Sequence, residues 1–429
     1  MGRRPARIPE VLHNRNFALY YTGQSLSILG DAIVPVALAF AVLDLGRGAG
    51  ALGLVLAAGI APGVLLVLVG GVVADRIERR RLMVACDLVR FGSQAAQGVL
   101  LWTGHATLLS LVLLQLVWGT AAAFFRPAST GLVAEWVESD RLQQANGLVG
   151  LSDNLAYTVG PAVAGVLIAV FSPGAALLAD ALTFAASAVA LSLARPAVRT
   201  AATAAEASAP VLRGLAEGWQ EFRSRTWLWS MVLWAATFHL LALPSVLVLG
   251  PAVAKSDLGG ASAWAAIAAC SGLGAVVGGV IALRYRPRYL LRATFVPLGL
   301  YGLQLVALAL PARTAVVAAA ALVGGVGVAM FNVYFYTALQ QHIPLPVMSR
   351  VASYEWLGSI ALLPVGQALV GPVAAATSVP GVLLVAGGWM LVSPVVLYLI
   401  RSARDLRAVD EAPGAAVEDA APVPAGEPV

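Results

Sequence analysis

Long apolar runs, each close to the length needed to cross a bilayer, alternate with short polar or arginine-bearing breaks along almost the whole chain. A helix rises about 1.5 Å per residue, so a hydrocarbon core of about 30 Å takes about 20 apolar residues. Runs of that kind fall at roughly 17–43, 51–73, 82–103, 107–125, 146–171 and 174–194. Six more follow at 227–250, 262–283, 290–310, 315–338, 353–376 and 380–400. The pattern predicts an all-α membrane protein with twelve transmembrane helices in two pseudo-symmetric six-helix bundles, residues 1–194 and 227–401. Between them, 195–226 holds Pro196, Pro210 and a charged stretch from Arg213 to Arg225, and reads as a cytoplasmic linker. Residues 402–429 are rich in Pro, Ala and Glu and read as a disordered tail.

Composition agrees with the pattern. Hydrophobic residues make up 59% of the 429 and charged residues 11%, against about 25% charged in an ordinary soluble domain. Mean hydropathy is +0.84, which excludes a water-soluble globule. The net charge of +5 suggests nucleic acid at first. The arginines, however, sit in short clusters between apolar runs, which is how membrane orientation is written. With the N-terminus inside, 23 basic residues fall on the inner side, Arg47, Lys255 and Arg313 on the outer, and Arg90 within a span. Both termini are therefore expected in the cytoplasm, and no nucleic-acid partner is expected. The first apolar run is too long for a cleaved signal and reads as a retained span. Cys86 and Cys270 lie in apolar runs and His13, His105, His239 and His342 show no ligand spacing, so neither metal nor cofactor is expected. The chain has no phosphate-binding G-x-x-x-x-G-K-[ST] loop and no nucleophile–base constellation, so it does not read as an enzyme.

Ionisable groups inside spans disfavour insertion by about 2.5–3.5 kcal/mol at the helix centre, so each needs a reason. Asp31 lies mid-span on a polar stripe with Tyr20, Gln24, Ser27 and Pro35. With no basic residue at its depth in that span, it reads as an unpaired carboxylate that binds a proton or a cationic substrate, or as an acid hydrogen-bonded to a neighbouring helix. Asp87, Arg90, Gln94 and Gln97 share one face of span three, and Asp87–Arg90 reads as a pair within the helix near its cytoplasmic end. Asp153, Asp180 and Glu355 lie nearer span ends, where water or helix N-termini can satisfy them. Asn332, Tyr336 and Gln340 repeat every four residues in span ten. Trp234 and His239 in span seven read as substrate contacts or as helix packing.

The two halves echo one another. Arg141 and Arg350 open spans five and eleven, and Gly160-Pro161 and Gly371-Pro372 follow about twenty residues later. Such repeats are characteristic of secondary transporters, with the substrate site between the repeats. The segment Gly71-Val-Val-Ala-Asp75-Arg76-Ile-Glu78-Arg79-Arg80-Arg81 resembles the signature loop G-x-L-A-D-R-x-G-R-R of the major facilitator superfamily. Gly160-Pro161-Ala-Val-Ala-Gly165 is similar to the Gly-Pro motif of its drug/proton antiporters. The stretches Asn14–Asp31 and Arg350–Gly358 resemble a bacterial exporter branch that includes the enterobactin exporter and actinobacterial antibiotic efflux proteins.

The resemblance implies alternating-access export of a small amphipathic metabolite or drug by proton antiport, from a monomer embedded in lipid. A lipid translocator and an uncoupled facilitator are the alternatives. Within that reading, proton coupling is expected at Asp31, the deepest acid by span position, with Asp153 and Glu355 as the next candidates. The resemblance implies substrate contacts from Gln24, Ser27, Asp31, Gln115, Trp234, His239, Asn332 and Tyr336. Gating falls to Gly71, Asp75, Arg76, Arg79, Arg80, Asp87, Arg90, Gly160, Pro161, Gly165 and Arg350, with Asp75 holding the cytoplasmic gate against span eleven. Two departures stand out. Glu78 replaces the second glycine of the loop, and Gln115, four residues before Gly119, stands where many antiporters carry an arginine.

Overall fold

A computed structural model describes residues 10–138, 141–195, 211–310 and 313–408. The side chains of Gly71 and Asp75 lie outside the described part, so the gating roles expected of them do too. The same holds for linker residues 196–210 and tail residues 409–429.

The first half consists of α1 (Arg15–Asp44), α2 (Ala49–Arg76), α3 (Arg79–Trp102), α4 (Leu108–Trp136), α5 (Leu142–Val170) and α6 (Pro173–Leu193). A helix α7 (Val211–Ser224) occupies the end of the linker. The second half consists of α8 (Thr226–Leu258), α9 (Ala261–Arg284), α10 (Arg292–Ala309), α11 (Thr314–His342), α12 (Leu345–Ile360), α13 (Leu363–Ala376) and α14 (Val379–Leu399). A short α15 (Arg401–Arg404) ends the described chain. Span eleven is thus two helices, α12 and α13, divided by a turn just before Pro364.

Local sequence explains the helix starts. Asn14 accepts hydrogen bonds from the N–H groups of Asn16 and Phe17 to open α1, and Thr107 and Ser110 cap α4 reciprocally. Ser172 and Ser378 cap α6 and α14 by accepting from the N–H groups of Ala175 and Gly381, each followed by proline in the first turn. Among the described residues, eleven stretches are long and apolar enough to cross a membrane. The twelfth crossing is α3, whose inward face is polar. Packed between α4 and α6, it buries Asp87, Arg90, Ser93, Gln94 and Gln97.

Three expectations are corrected. Helix α4 does not stop at 125 but runs to Trp136, which places Arg126 within the helix. The end of the linker is a helix: α7 lays Trp219 and Phe222 against Tyr354 of α12, with ring centroids 5.5 and 6.2 Å apart. The tail is ordered as far as residue 408, because Ala408 N–H donates to the Arg288 carbonyl at 2.9 Å and Tyr289 pairs with Arg407 in a short antiparallel bridge.

The halves meet along α2 with α13 and α5 with α9. The close approaches lie toward the arginine-poor end, where Lys255 Nζ is 2.6 Å from Asp44 and Gly165 of α5 abuts Ala265 of α9. Glycine is required at Gly53, where a Cβ would collide with the Gln367 carbonyl of α13. Gly53→Val is expected to force the pair apart, because overpacking a tight contact costs about 1–3 kcal/mol. Spin labels at the exposed positions Arg47 and Ser256 should report a longer distance; an unchanged distribution would mean that α2 and α13 yield elsewhere.

Candidate functional site

Polar side chains concentrate in two places, one in each half. The first is built by α1, α3, α4 and α6. Arg90 is 3% exposed, and its guanidinium lies between the rings of Phe125 and Phe184, 4.0 and 4.3 Å from their centroids. Its Nη2 donates to Asp87, which is fully buried. Its Nη1 faces Asp31 Oδ2 across 3.8 Å, beyond hydrogen-bond range but close enough for ionic attraction. Asp31 is therefore not a solitary carboxylate, and the expectation that it stands unpaired is corrected: its cation comes from α3. Its Oδ1 has no partner among the described residues.

Asp180, expected near a span end and satisfied by water or backbone, is fully buried at the heart of this cluster. It abuts Gly30, where any Cβ would collide with its carboxylate, which accounts for glycine before Asp31. Gln94 Nε2 donates to Asp180 at 2.8 Å, Gln97 to Gln94 at 2.9 Å, and Gln115 to Gln97 at 3.2 Å. A line of amides thus runs from α6 through α3 to α4. Gln115 belongs to that line and is 2% exposed, so its expected place among the substrate contacts is corrected to an interhelical one. Ser27 is likewise fully buried, while Gln24 is half-buried.

The second place is a cavity of about 210 Å³ between α8, α11 and α12. His239, Phe331, Asn332, Tyr336, Glu355 and Trp356 are among its lining residues. The four-residue repeat in α11 brings Asn332, Tyr336 and Gln340 out on one exposed face. Glu355 accepts a hydrogen bond from Ser359 at 3.1 Å, and His239 Nδ1 lies 2.8 Å from the Ala235 carbonyl one turn back. Pro244 and Pro251 interrupt the hydrogen-bond ladder of α8, which widens into π-helical turns at Phe238–Ala242 and Ser245–Leu249. Trp234 is corrected: it points away from the cavity into the core and donates through Nε1 to Ser393 of α14 at 2.9 Å.

Arg126 was counted only among the inner basic residues because its span was drawn to end at 125, eleven residues before the helix ends at Trp136. It is exposed on α4 and lies over the Trp356 ring of the other half at 5.6 Å, with Asp153 and Tyr336 within electrostatic range. Continued apolar residues after Pro127 were the available signal.

The expected gating residues divide. Arg79 pairs with Glu135 of α4 at 2.7 Å, and Arg80 Nη1 reaches the carbonyls of Leu191 and Ser192 at the end of α6 and of Ala194 just beyond it, at 3.3–3.4 Å. Both clamp the first half onto itself. Glu78, the departure from the loop pattern, pairs with Arg80 and Arg81. Arg76 is exposed, and Arg350 packs against Gly218 of α7. Gly160 presses on Ala32, the residue after Asp31, and one turn later Gly165 meets α9, so the Gly160-Pro161 segment touches both the acid-bearing helix and the opposite half.

A two-bundle membrane fold with polar clusters between its helices defines a class, and the fold comparison agrees. The chain superposes on the nucleoside transporter NupG with a TM-score of 0.70 at 12% identity, covering 90% of this chain and 98% of that one. It superposes on the peptide transporter POT in complex with sulfate with a TM-score of 0.70 at 15% identity, covering 94% and 97%. With the family match over residues 10–422, this is a multi-pass membrane transporter of the major facilitator superfamily. Residues 10–422 match the family described as transmembrane secretion effector, and the chain belongs to that family. It is 26% identical over 410 residues to the multidrug efflux pump Tap of Mycobacterium tuberculosis, covering 92% of this chain and 94% of that one. It is 21% identical over 267 residues to macrolide efflux protein A of Streptococcus pyogenes, covering 62% and 65%.

Proposed function

We propose that the protein exports a small amphipathic drug or metabolite across the cell membrane in exchange for protons, by alternating access. The observation that carries this reading is the pairing of two chemistries. Two carboxylates, Asp31 and Asp87, lie against the guanidinium of Arg90 in the first half, and a third, Asp180, is buried in the same cluster, held by Gln94. An aromatic-walled cavity holding Glu355 and His239 lies in the second. One cation cannot neutralise three acids in a low-dielectric setting, so the cluster is suited to taking up a proton. Asp31 is the least buried of the three, its side chain 32% exposed. The aromatic cavity is suited to an amphipathic substrate, whose apolar surface it desolvates while Glu355 and Asn332 orient its polar groups.

Close packing of α2 on α13 and of α5 on α9 at the arginine-poor end supports an arrangement open toward the arginine-rich end. On the orientation expected from the charge pattern, that is the cytoplasmic side, from which an exporter loads. The drugs named for the relatives support the substrate class.

The test is transport in proteoliposomes. With the protein inserted arginine-rich side out and the lumen acidic, a radiolabelled macrolide should accumulate inside. Collapsing the gradient with a protonophore should abolish the accumulation. Accumulation that survives the protonophore would refute proton exchange, and no macrolide movement in either direction would refute the substrate class.

A further inference from the structure

The arginines at the end of the second half are more tightly gathered than membrane orientation requires. Two segments far apart in sequence, the turn after α9 and the chain after α14, are joined by the Tyr289–Arg407 bridge and the Ala408-to-Arg288 hydrogen bond. The junction sets four guanidiniums around two tyrosine rings. Arg288, Arg292 and Arg407 lie 5.9, 5.8 and 5.9 Å from the Tyr289 centroid. Arg292 and Arg404 lie 5.6 and 5.2 Å from that of Tyr398. Arg286 and Arg401 are exposed beside them.

Among the described residues the one carboxylate here is Asp405, held by two hydrogen bonds from Arg404 at 2.9 and 3.0 Å. Those hydrogen bonds, and behind them the charges of Arg404, Arg292 and Arg401, keep its carboxyl below the ordinary carboxylate range, as a strongly positive locality demands. The other arginines of the group have no carboxylate partner among the described residues. Like charges brought this close repel, and tyrosine faces offset only part of that repulsion. The cluster is suited to binding an anion.

The neighbouring surface says which kind. Leu283 at the end of α9, Val296 in α10 and Leu399 at the end of α14 are 75%, 73% and 73% exposed, so an apolar wall suited to hydrocarbon begins beside the cluster. We propose that the arginine–tyrosine cluster formed by residues 286–292 and 401–407 binds the phosphate of an anionic phospholipid, whose acyl chains lie along the wall of α9, α10 and α14. Phosphate suits this cluster because several guanidiniums can donate to its oxygens at once. Basic pockets at the membrane surface recognise anionic headgroups in this way. The site is separate from the substrate cavity and stands independently of the transport reading.

The experiment uses the full chain, purified in a mild detergent and delipidated. Its retention of phosphatidylglycerol and of phosphatidylcholine with identical acyl chains is measured by native mass spectrometry. The wild type should prefer phosphatidylglycerol by about tenfold or more, since each basic residue near an anionic lipid contributes on the order of 1 kcal/mol. The triple variant Arg288→Gln/Arg292→Gln/Arg407→Gln should fall to near parity while eluting as a single folded species. A control triple, Arg15→Gln/Arg81→Gln/Arg223→Gln, removes equal charge from exposed positions elsewhere at the same end and should keep the preference. Equal loss in the control would mean that diffuse charge acts, and no site exists. Displacement of the lipid by equimolar inorganic phosphate would overturn the role of the acyl chains. The chain beyond the bridge carries Asp410, Glu411, Glu418, Asp419 and Glu427 and no base. If the full chain retains no phosphatidylglycerol until residues 410–429 are removed, the cluster serves the protein's own acidic tail and the lipid proposal fails.

Discussion

Arg90→Leu is expected to be the most destabilising single change in the first half. Removing one partner of a buried ion pair leaves the other charge uncompensated, at about 3–5 kcal/mol. Here Asp87 is fully buried and Asp31 and Asp180 lie in the same cluster, so the loss of the guanidinium exposes three acids to mutual repulsion. The variant also forfeits both ring contacts, with Phe125 and Phe184. Denaturant unfolding of the purified protein should show the loss, and expression should fall with it. The double variant Arg90→Leu/Asp87→Leu should recover most of the difference, because an apolar pair of similar volume is often tolerated where half a pair is not. If Arg90→Leu unfolds as the wild type does, the cluster is hydrated and the pair contributes little.

Asp31→Asn is expected to act in the opposite way, sparing the fold and removing coupling. The residue is partly exposed and its Oδ1 has no partner among the described residues, so an isosteric amide leaves packing unchanged. A proton crossing a one-unit pH gradient supplies about 1.4 kcal/mol, enough for about tenfold accumulation of one exchanged neutral substrate molecule. In proteoliposomes that ratio should fall to unity in Asp31→Asn, while exchange of labelled for unlabelled substrate without a gradient continues. Glu355→Gln, by contrast, should weaken substrate binding in the second-half cavity and leave the pH dependence of transport in place. Full accumulation by Asp31→Asn would move the coupling role to Asp153 or Glu355.

Much of this protein is legible in one dimension because a bilayer imposes a one-dimensional rule. Every backbone polar group must be satisfied within its own segment, so hydrophobic length alone marks the helices. Spans drawn from apolar runs fall on the observed helices, and the superfamily follows from the loop around Asp75-Arg76 and is confirmed over residues 10–422. Same-helix neighbours were legible too. Asp87 and Arg90 are three apart and do pair, and Asn332, Tyr336 and Gln340 do share a face.

What failed was everything that depends on which helix lies beside which. Asp31 looked solitary because its cation stands 59 residues away on α3, and Asp180 looked peripheral because its amide partner is 86 residues away. Gln115 and Trp234 looked like cavity residues by their positions along helices, but rotation about the helix axis turns one toward Gln97 and the other toward Ser393. Arg126 was hidden by a boundary misplaced at 125, and the arginine–tyrosine cluster by the distance in sequence between 289 and 407. In an apolar solvent hydrophobicity scarcely distinguishes the lipid-facing side of a helix from the protein-facing side. Composition therefore determines that a segment crosses, whereas interhelical packing and hydrogen bonding determine how it is turned and which charges meet.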